Sequence, residues 1–368
     1  MLILGSLLPA EWFDGSASWL LMVVTLVCML FVIKGADWLV EGAAGIAKKF
    51  GMPEVIIGAT IVSLGTTTPE AAVSVLAAWN GNSGLALGNG VGSIIADTGL
   101  IFGIGCLMTR LPADRFVLSR QGWVQFGSGA LLTVVCFVAY MVSGGEIDGA
   151  RLGRGIGLLF VALLVVYLMV SVKWSKAHPH GEPRLVGHEA ADVKATGFRE
   201  GEEAGERERG VLALLLMGFA GLVMVVLSGD GLVGSVSELA VRFGVPEVVV
   251  ASTLVAFGTS LPELIVGITA IRKGHAELLV GNIIGADILN VLFVIGVSAC
   301  ATPLVIGDAG AKLPWIFLQL HLPMMMLMLL LMRGYIFATK KTGRFERWMG
   351  VPMVVLYVVF VGLQYALS

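Results

Sequence analysis

The chain has 368 residues; 57% are hydrophobic and 14% charged, with 49 glycines and a formal net charge of −2. Mean hydropathy is +0.91. Soluble domains carry about 25% charged residues, and so sparse a set cannot cover a soluble surface. A soluble enzyme, a nucleic-acid-binding module and a disordered hub are excluded, and a polytopic membrane protein is indicated.

Ten apolar segments approach the roughly 20 residues that cross a hydrocarbon core. In chain order they are Trp19–Val40, Val55–Ala78, Leu85–Met108, Trp123–Val142, Leu152–Val172, Val211–Leu227, Val248–Ile271, Leu278–Ala299, Pro314–Met332 and Met349–Leu367. They are too long and alternate too little for strands, so the expected fold is all-α. The first ten residues hold no Lys or Arg ahead of the apolar run, so a cleaved signal peptide is not expected. Cys28, Cys106, Cys136 and Cys300 lie inside apolar segments without C-x-x-C spacing, as small buried residues do. Trp174–Gly210 holds 14 of the 50 charged residues and reads as a solvated linker. Its histidines, His178, His180 and His188, read as solvated rather than metal-binding.

Lys and Arg set the expected orientation. With the N-terminus outside, 19 of the 24 fall in or beside inward loops, among them seven in and near the linker. Arg151, Arg154, Arg242 and Lys312 lie outside, and Lys34 lies within the first span. Both termini are therefore expected outside and the linker in the cytoplasm, in a plasma membrane of prokaryotic type.

The chain repeats itself at an offset of 193. Gly51–Gly105 aligns with Gly244–Ser298 without a gap, with 19 identities in 55 positions. Residues 1–173 and 211–368 then form two halves of five helices, joined by linker 174–210. Five is odd, so the halves cross the membrane in opposite senses. Inverted repeats are a transporter architecture with a site at the midplane, where they meet.

The first repeated motif is Gly65-Thr66-Thr67-Thr68-Pro69-Glu70, matched by Gly258-Thr259-Ser260-Leu261-Pro262-Glu263. The second is Gly88–Ser93, matched by Gly281–Ala286. Proline removes a donor and crowds the preceding turn, so broken helices at mid-membrane are expected, with both motifs among the least helix-like stretches. Such backbone survives there only when it is buried or lines a cavity. Glu70 and Glu263 cannot stay ionised in a bilayer core unless paired or bound to a cation. Thr66 and Thr67 lie on the helix face of Glu70, and Thr259 and Ser260 on that of Glu263. Carboxylate, hydroxyl and carbonyl oxygens make a hard site suited to Ca²⁺ or Na⁺. Ser93 and Asp97 share a face in the third span, as Ala286 and Asn290 do in the eighth. Asp287 adds a fourth acid, opposite Ile94 in the other half.

The doubled G-T-[ST]-x-P-E motif, the G-N-x-x-G after each copy and the Gly35–Ala43 segment GADWLVEGA resemble the calcium/cation antiporter superfamily. The closest likeness is to prokaryotic sodium/calcium exchangers. The resemblance implies that Glu70 and Glu263 bind Ca²⁺ and Na⁺. It assigns carbonyl ligands to Thr66 and Thr259, hydroxyls to Thr67 and Ser260, and further backbone oxygens to Ser63 and Ala256. Ser93 keeps the family role, and Asp97 and Asn290 fill the ligating Asp/Asn positions. Ala286 lacks the usual hydroxyl, and Ile94 and Asp287 replace the usual Asn. The expected function is Ca²⁺ export in exchange for Na⁺ by alternating access, with no cofactor. Proton or K⁺-dependent exchange is the alternative, and a cation channel a weaker one. G-x-G-D and H-E-x-x-H are absent, so an intramembrane protease is not expected.

Other charges receive local roles. Glu54 and Glu247 follow Pro53 and Pro246 and mark helix starts. Asp37 and Glu41 lie on one face with Lys34 and are expected to pair with it. Glu238 and Arg242 form an i,i+4 pair. Met324–Met326 and Met328 read as packing or lipid-facing residues.

Overall fold

In the computed structural model the described residues are 11–145, 149–177, 209–243, 260–307 and 315–367. After a short turn at Glu11–Asp14 come helices α1 (Ser18–Phe50), α2 (Glu54–Thr66), α3 (Thr68–Trp79), α4 (Ser83–Met108), α5 (Arg115–Val142) and α6 (Arg154–Lys176). The second half holds α7 (Val211–Arg242), α8 (Leu261–Arg272), α9 (Ala276–Ala301), α10 (Phe317–Thr342) and α11 (Arg347–Leu367).

Eight of these are long and apolar enough to cross a membrane, or nine when the bent pair α2 and α3 counts as one span. The expected span Val248–Ile271 begins among residues 244–259, outside the described residues; α8 is its second part.

Local sequence sets the helix ends. Gly51 closes α1 in the left-handed region (φ 61°), and its N–H reaches the Ala47 and Lys48 carbonyls. Pro53 caps α2, with Glu54 in the first turn as expected. Asn82 and Asp114 cap α4 and α5 by accepting from Leu85 and Val117 N–H. Pro69 falls in the first turn of α3, the position a proline tolerates. The chain therefore breaks at Thr67, and α2 and α3 meet at 41°.

The second motif behaves differently from expectation. Gly88–Ser93 and Gly281–Ala286 lie inside continuous helix, Ser83–Ala96 and Ala276–Leu289. The irregularity comes just after them, as π-helical turns at Asp97–Ile101 and Asn290–Ile295. Glycine and asparagine there lack the ring that forces a proline break, and in α9 buried neighbours hold the helix.

Strands also occur, where none was expected. Leu111–Pro112 (β1) pairs antiparallel with Arg344–Phe345 (β4), and Arg151–Leu152 (β2) with Leu304–Val305 (β3). Each strand has only two residues, too short for a hydropathy pattern to mark. Their register carries the repeat: Leu111 opposes Phe345 while Leu304 opposes Leu152, and each pair maps onto the other at the offset of 193. Each ladder thus ties one half to the other, and the two ladders are equivalent under the repeat.

The enclosed centre is α9, whose residues from Leu278 to Asn290 are all buried. Its glycines permit close contact with α2. A Cβ at Gly285 would meet the Ala59 carbonyl and Ser63 Oγ at 2.5 Å, and one at Gly58 would meet the Leu278 carbonyl at 2.6 Å. Helices α1 and α7 cross likewise through Gly35, Gly42 and Gly221. Phe31, Val166 and Val358 are among the large apolar residues left exposed on α1, α6 and α11, as lipid-facing surfaces require.

Candidate cation site

The break after α2 lets both sides of the bend contribute. Ser63 and Thr66 end α2, Thr67 occupies the break and Glu70 lies in the first turn of α3. In the other half Ser260 caps α8 and Glu263 lies in its first turn. Helices α4 and α9 supply Ser93 and Asp97, and Asp287 and Asn290. All ten of these side chains are at most 3% exposed. Thr259 and Ala256 lie outside the described residues.

The four acids form one electrostatic group. The Glu70 charge acts on those of Glu263 and Asp97, and Asp97 also on Asp287. No Lys, Arg or His is ion-paired with any of them among the described residues. Nor, among the described residues, do three acidic side chains stand close enough for a cluster of carboxylates alone. The oxygen set is mixed instead. Buried oxygens without a hydrogen-bond partner include Thr67 Oγ1, Glu70 Oε2, Ser93 Oγ and Asp97 Oδ1 from the first half. From the second come Ser260 Oγ, Glu263 Oε2, Asp287 Oδ1 and Asn290 Oδ1. Buried polar atoms are ordinarily bonded. Eight orphan oxygens on matched elements of the two halves suit a hard cation as their missing partner.

Some expected ligands are otherwise engaged. The Ser63 carbonyl accepts from Thr67 N–H at 2.8 Å and Thr66 Oγ1 at 3.3 Å, which occupies both its lone pairs. Thr66 Oγ1 also lies 3.4 Å from Asn282 Oδ1 and against the Glu263 carboxyl.

Helix α9 is continuous at Asp287. The Asp287 Oδ2 accepts from Thr98 Oγ1 and Gln125 Nε2, both at 2.6 Å. The equivalents of Asp287, Thr98 and Gln125 in the opposite half are Ile94, Val291 and Leu318. These three are buried in the main apolar core. A polar trio at one position of the repeat thus replaces an apolar trio at the other.

Several positioning residues escaped the sequence reading. Asn89 Nδ2 donates to the Glu70 carbonyl at 3.2 Å and to Ser74 Oγ at 2.9 Å. The Tyr167 hydroxyl lies within donating distance of two acceptors, the Ala59 carbonyl (2.9 Å) and Gln121 Oε1 (2.7 Å), and its one proton serves one of them. The signal was present for Asn89 and Asn282, which are the Asn of G-N-x-x-G, and for Gln121 and Gln125 as amides beside or within an apolar span.

Two outer pairings can be compared with expectation. Glu238 and Arg242 pair at 2.7 Å. Asp37 and Glu41 instead meet Lys273 of the other half, at 3.4 and 2.7 Å, and Arg209 reaches Glu41 at 3.2 Å. Lys34 lies over the Trp38 ring, 5.9 Å from its centroid. Lys34 sits within the apolar span, so a charge-free aromatic face serves its ammonium there, while the acids point toward the helix end where cations converge.

A membrane bundle of two sequence-related halves, each burying acids and unpartnered oxygens on matched helices, defines a cation transporter. The chain belongs to the sodium/calcium exchanger family: that family's profile, described as sodium/calcium exchanger protein, matches residues 20–173 and 212–366. Membership makes it a transporter and not an enzyme. The putative antiporter CaxA of Alkalimonas amylolytica is 30% identical over 346 residues, 94% of this chain and 98% of its own. The sodium/calcium exchanger MaX1 of Methanosarcina acetivorans is 29% identical, covering 92% and 96%. The solved structure of the sodium/calcium exchanger from Methanococcus jannaschii superposes with TM-score 0.73 at 23% identity, over 94% of this chain and 99% of that one. At that identity the likeness carries the fold.

Proposed function

We propose that the protein is a sodium/calcium antiporter that exports Ca²⁺ while Na⁺ enters. The observation that carries this reading is the set of eight buried oxygens without partners, split evenly between equivalent elements of the two halves. Glu70, Glu263, Asp97 and Asn290 form its centre, with Thr67, Ser260 and Ser93 completing the sphere. Thr66, Thr259 and Ala256 stand as backbone ligands, on the resemblance to the family, and the Ser63 carbonyl joins them only by releasing the Thr66 hydroxyl.

Ca²⁺ and Na⁺ compete for the same carboxylates, and this competition couples the fluxes. An empty site would leave several acids bare in a low dielectric, which opposes switching without cargo. Moving two charges outward against about 100 mV costs about 4.6 kcal/mol, and inward Na⁺ offsets it. The excess of Lys and Arg in alternate loops supports a cytoplasmic linker, with both termini outside and a plasma membrane as the location. The units are residues 1–173, linker 174–210 and residues 211–368.

Asp287 favours a second reading of the coupling. A fourth acid beside the centre adds a charge that a proton or K⁺ could neutralise. The deciding test is uptake of radiolabelled Ca²⁺ into proteoliposomes loaded with Na⁺, with K⁺, or at a different pH. An outward Na⁺ gradient is expected to drive uptake. Uptake that follows only the pH gradient would overturn the Na⁺ assignment.

A further inference from the structure

Arg333 is a buried cation that the transport site does not use. It lies in α10, 7% exposed, and among the described residues no carboxylate pairs with it. Its guanidinium carbon lies 4.1 Å from the Trp123 ring centroid and 4.6 Å from that of Phe337. One terminal N–H reaches the Leu118 carbonyl at a long 3.5 Å, and Nε has no partner. A guanidinium has five donors, and a buried charge is costly unless it is matched. Arg333 is therefore under-satisfied by its own chain.

Two further cations lie on the same two helices. Arg120 of α5 lies 3.7 Å from the Phe116 ring, and Lys340 of α10 lies 4.5 Å from the same Phe337 ring that holds Arg333. Neither pairs with a carboxylate among the described residues. Arg120 and Trp123 are three apart on α5; Arg333, Phe337 and Lys340 follow at four and three on α10. Each set therefore shares one helix face. Trp123 is 54% and Phe337 44% exposed, so the rings that hold Arg333 form an apolar outer wall on the faces that carry Arg120 and Lys340.

The depth of the cluster matters. The apolar span of α5 begins at Trp123 and that of α10 ends at Met332, one residue before Arg333. Helix α5 extends eight residues, about 12 Å, beyond that boundary. The cluster thus stands where hydrocarbon gives way to headgroups, the usual level of interfacial aromatics. Because α5 starts and α6 ends on one side, this is also the side of linker 174–210.

We propose that the linker-side ends of α5 and α10 bind the headgroup of an anionic phospholipid, with Arg333, Arg120 and Lys340 receiving its phosphate. The acyl chains would lie on Trp123 and Phe337. A free phosphate has nothing to place on those rings. A second copy packed here about a two-fold axis would set the three cations against themselves.

The test uses the full chain in phosphatidylcholine vesicles with and without phosphatidylglycerol, one of the two lipids carrying brominated acyl chains. Bromine quenches indole emission on contact. Subtracting a Trp123→Phe variant isolates Trp123 from the other seven tryptophans of the eight. Brominated phosphatidylglycerol is expected to quench Trp123 well beyond its share of the bilayer. Arg120→Gln and Lys340→Gln are each expected to lower that preference about fivefold, and Arg333→Gln to remove it. Equal quenching by the two lipids, or a preference unchanged in the Arg120→Gln, Lys340→Gln double variant, would overturn the proposal even if Arg333→Gln fails to fold. So would displacement of the quencher by millimolar inorganic phosphate, or absent quenching with cross-linked dimers through this face.

Discussion

Asp97 and Asn290 each begin a π-helical turn, Asp97–Ile101 in α4 and Asn290–Ile295 in α9, at equivalent positions of the two halves. A π turn inserts one residue and displaces the helix face. Both side chains are 1% exposed and each keeps an orphan oxygen. The acid and the amide are thus presented by the same backbone device, and only their charge differs.

Exchanging them tests that equivalence. Asp97→Asn alone should reduce Ca²⁺ exchange strongly. Asp97→Asn with Asn290→Asp preserves total charge and, by the pseudo-symmetry, nearly its location, so it should recover a substantial part. A double-mutant cycle on initial uptake rates measures this coupling. Normal exchange by Asp97→Asn alone would remove this acid from the site.

Glu70→Gln and Glu263→Gln should each reduce exchange to background. Neutral Gln is cheaper in a bilayer core than Glu, so thermal stability in detergent should not fall. Melting curves separate lost transport from lost fold, and a transporting variant would contradict the site.

The trio around Asp287 makes a prediction about additivity. Gln125→Leu alone strips one donor from a buried carboxyl and should cost about 1–3 kcal/mol. Asp287→Ile with Thr98→Val and Gln125→Leu copies the apolar trio of the other half, and should restore most of that stability. Comparing Na⁺, K⁺ and pH dependence of uptake in the triple variant reports whether Asp287 sets the coupling ion.

Gly285→Ala drives a methyl group into the Ala59 carbonyl and Ser63 Oγ. Backbone must move, at a cost of about 1–3 kcal/mol or more. The melting temperature should drop, and Ca²⁺ affinity with it, since α2 and α9 both carry residues of the proposed site. Gly88→Ala and Gly92→Ala, in open space, serve as controls.

Lys273 ties α1 to the turn between α8 and α9. Partial burial pushes its ammonium down, but the hydrogen bond and charge of Glu41, with the charge of Asp37, outweigh this and hold it above the usual lysine range. A raised value adds stability below the ordinary lysine pKa, and that stability fades as pH climbs through the raised one. Lys273→Met should cost up to about 1 kcal/mol, shrinking in high salt. A melting-temperature difference from the unaltered protein that persists at strongly alkaline pH would refute the assignment.

Much of this architecture is legible in the linear chain. Span length follows from bilayer thickness, and the halves from the repeat at 193 residues. Glu70 and Glu263 announce themselves because a carboxyl beside a proline in an apolar run needs a reason to be there. The bend at Thr67 follows from the fixed geometry of Pro69. What the tertiary structure alone decided depends on neighbours across the two halves. Gly281–Ala286 stays helical because packing in the buried α9 overrides its weak local preference. Asp37 and Glu41 take Lys273 in place of Lys34, a partner more than 200 residues away that no local spacing could reveal. The role of Asp287 rests on Thr98 and Gln125, donors from two other helices. Short-range chemistry fixes helix, break and charge along the chain; which oxygen faces which is fixed only when two inverted halves close on one centre.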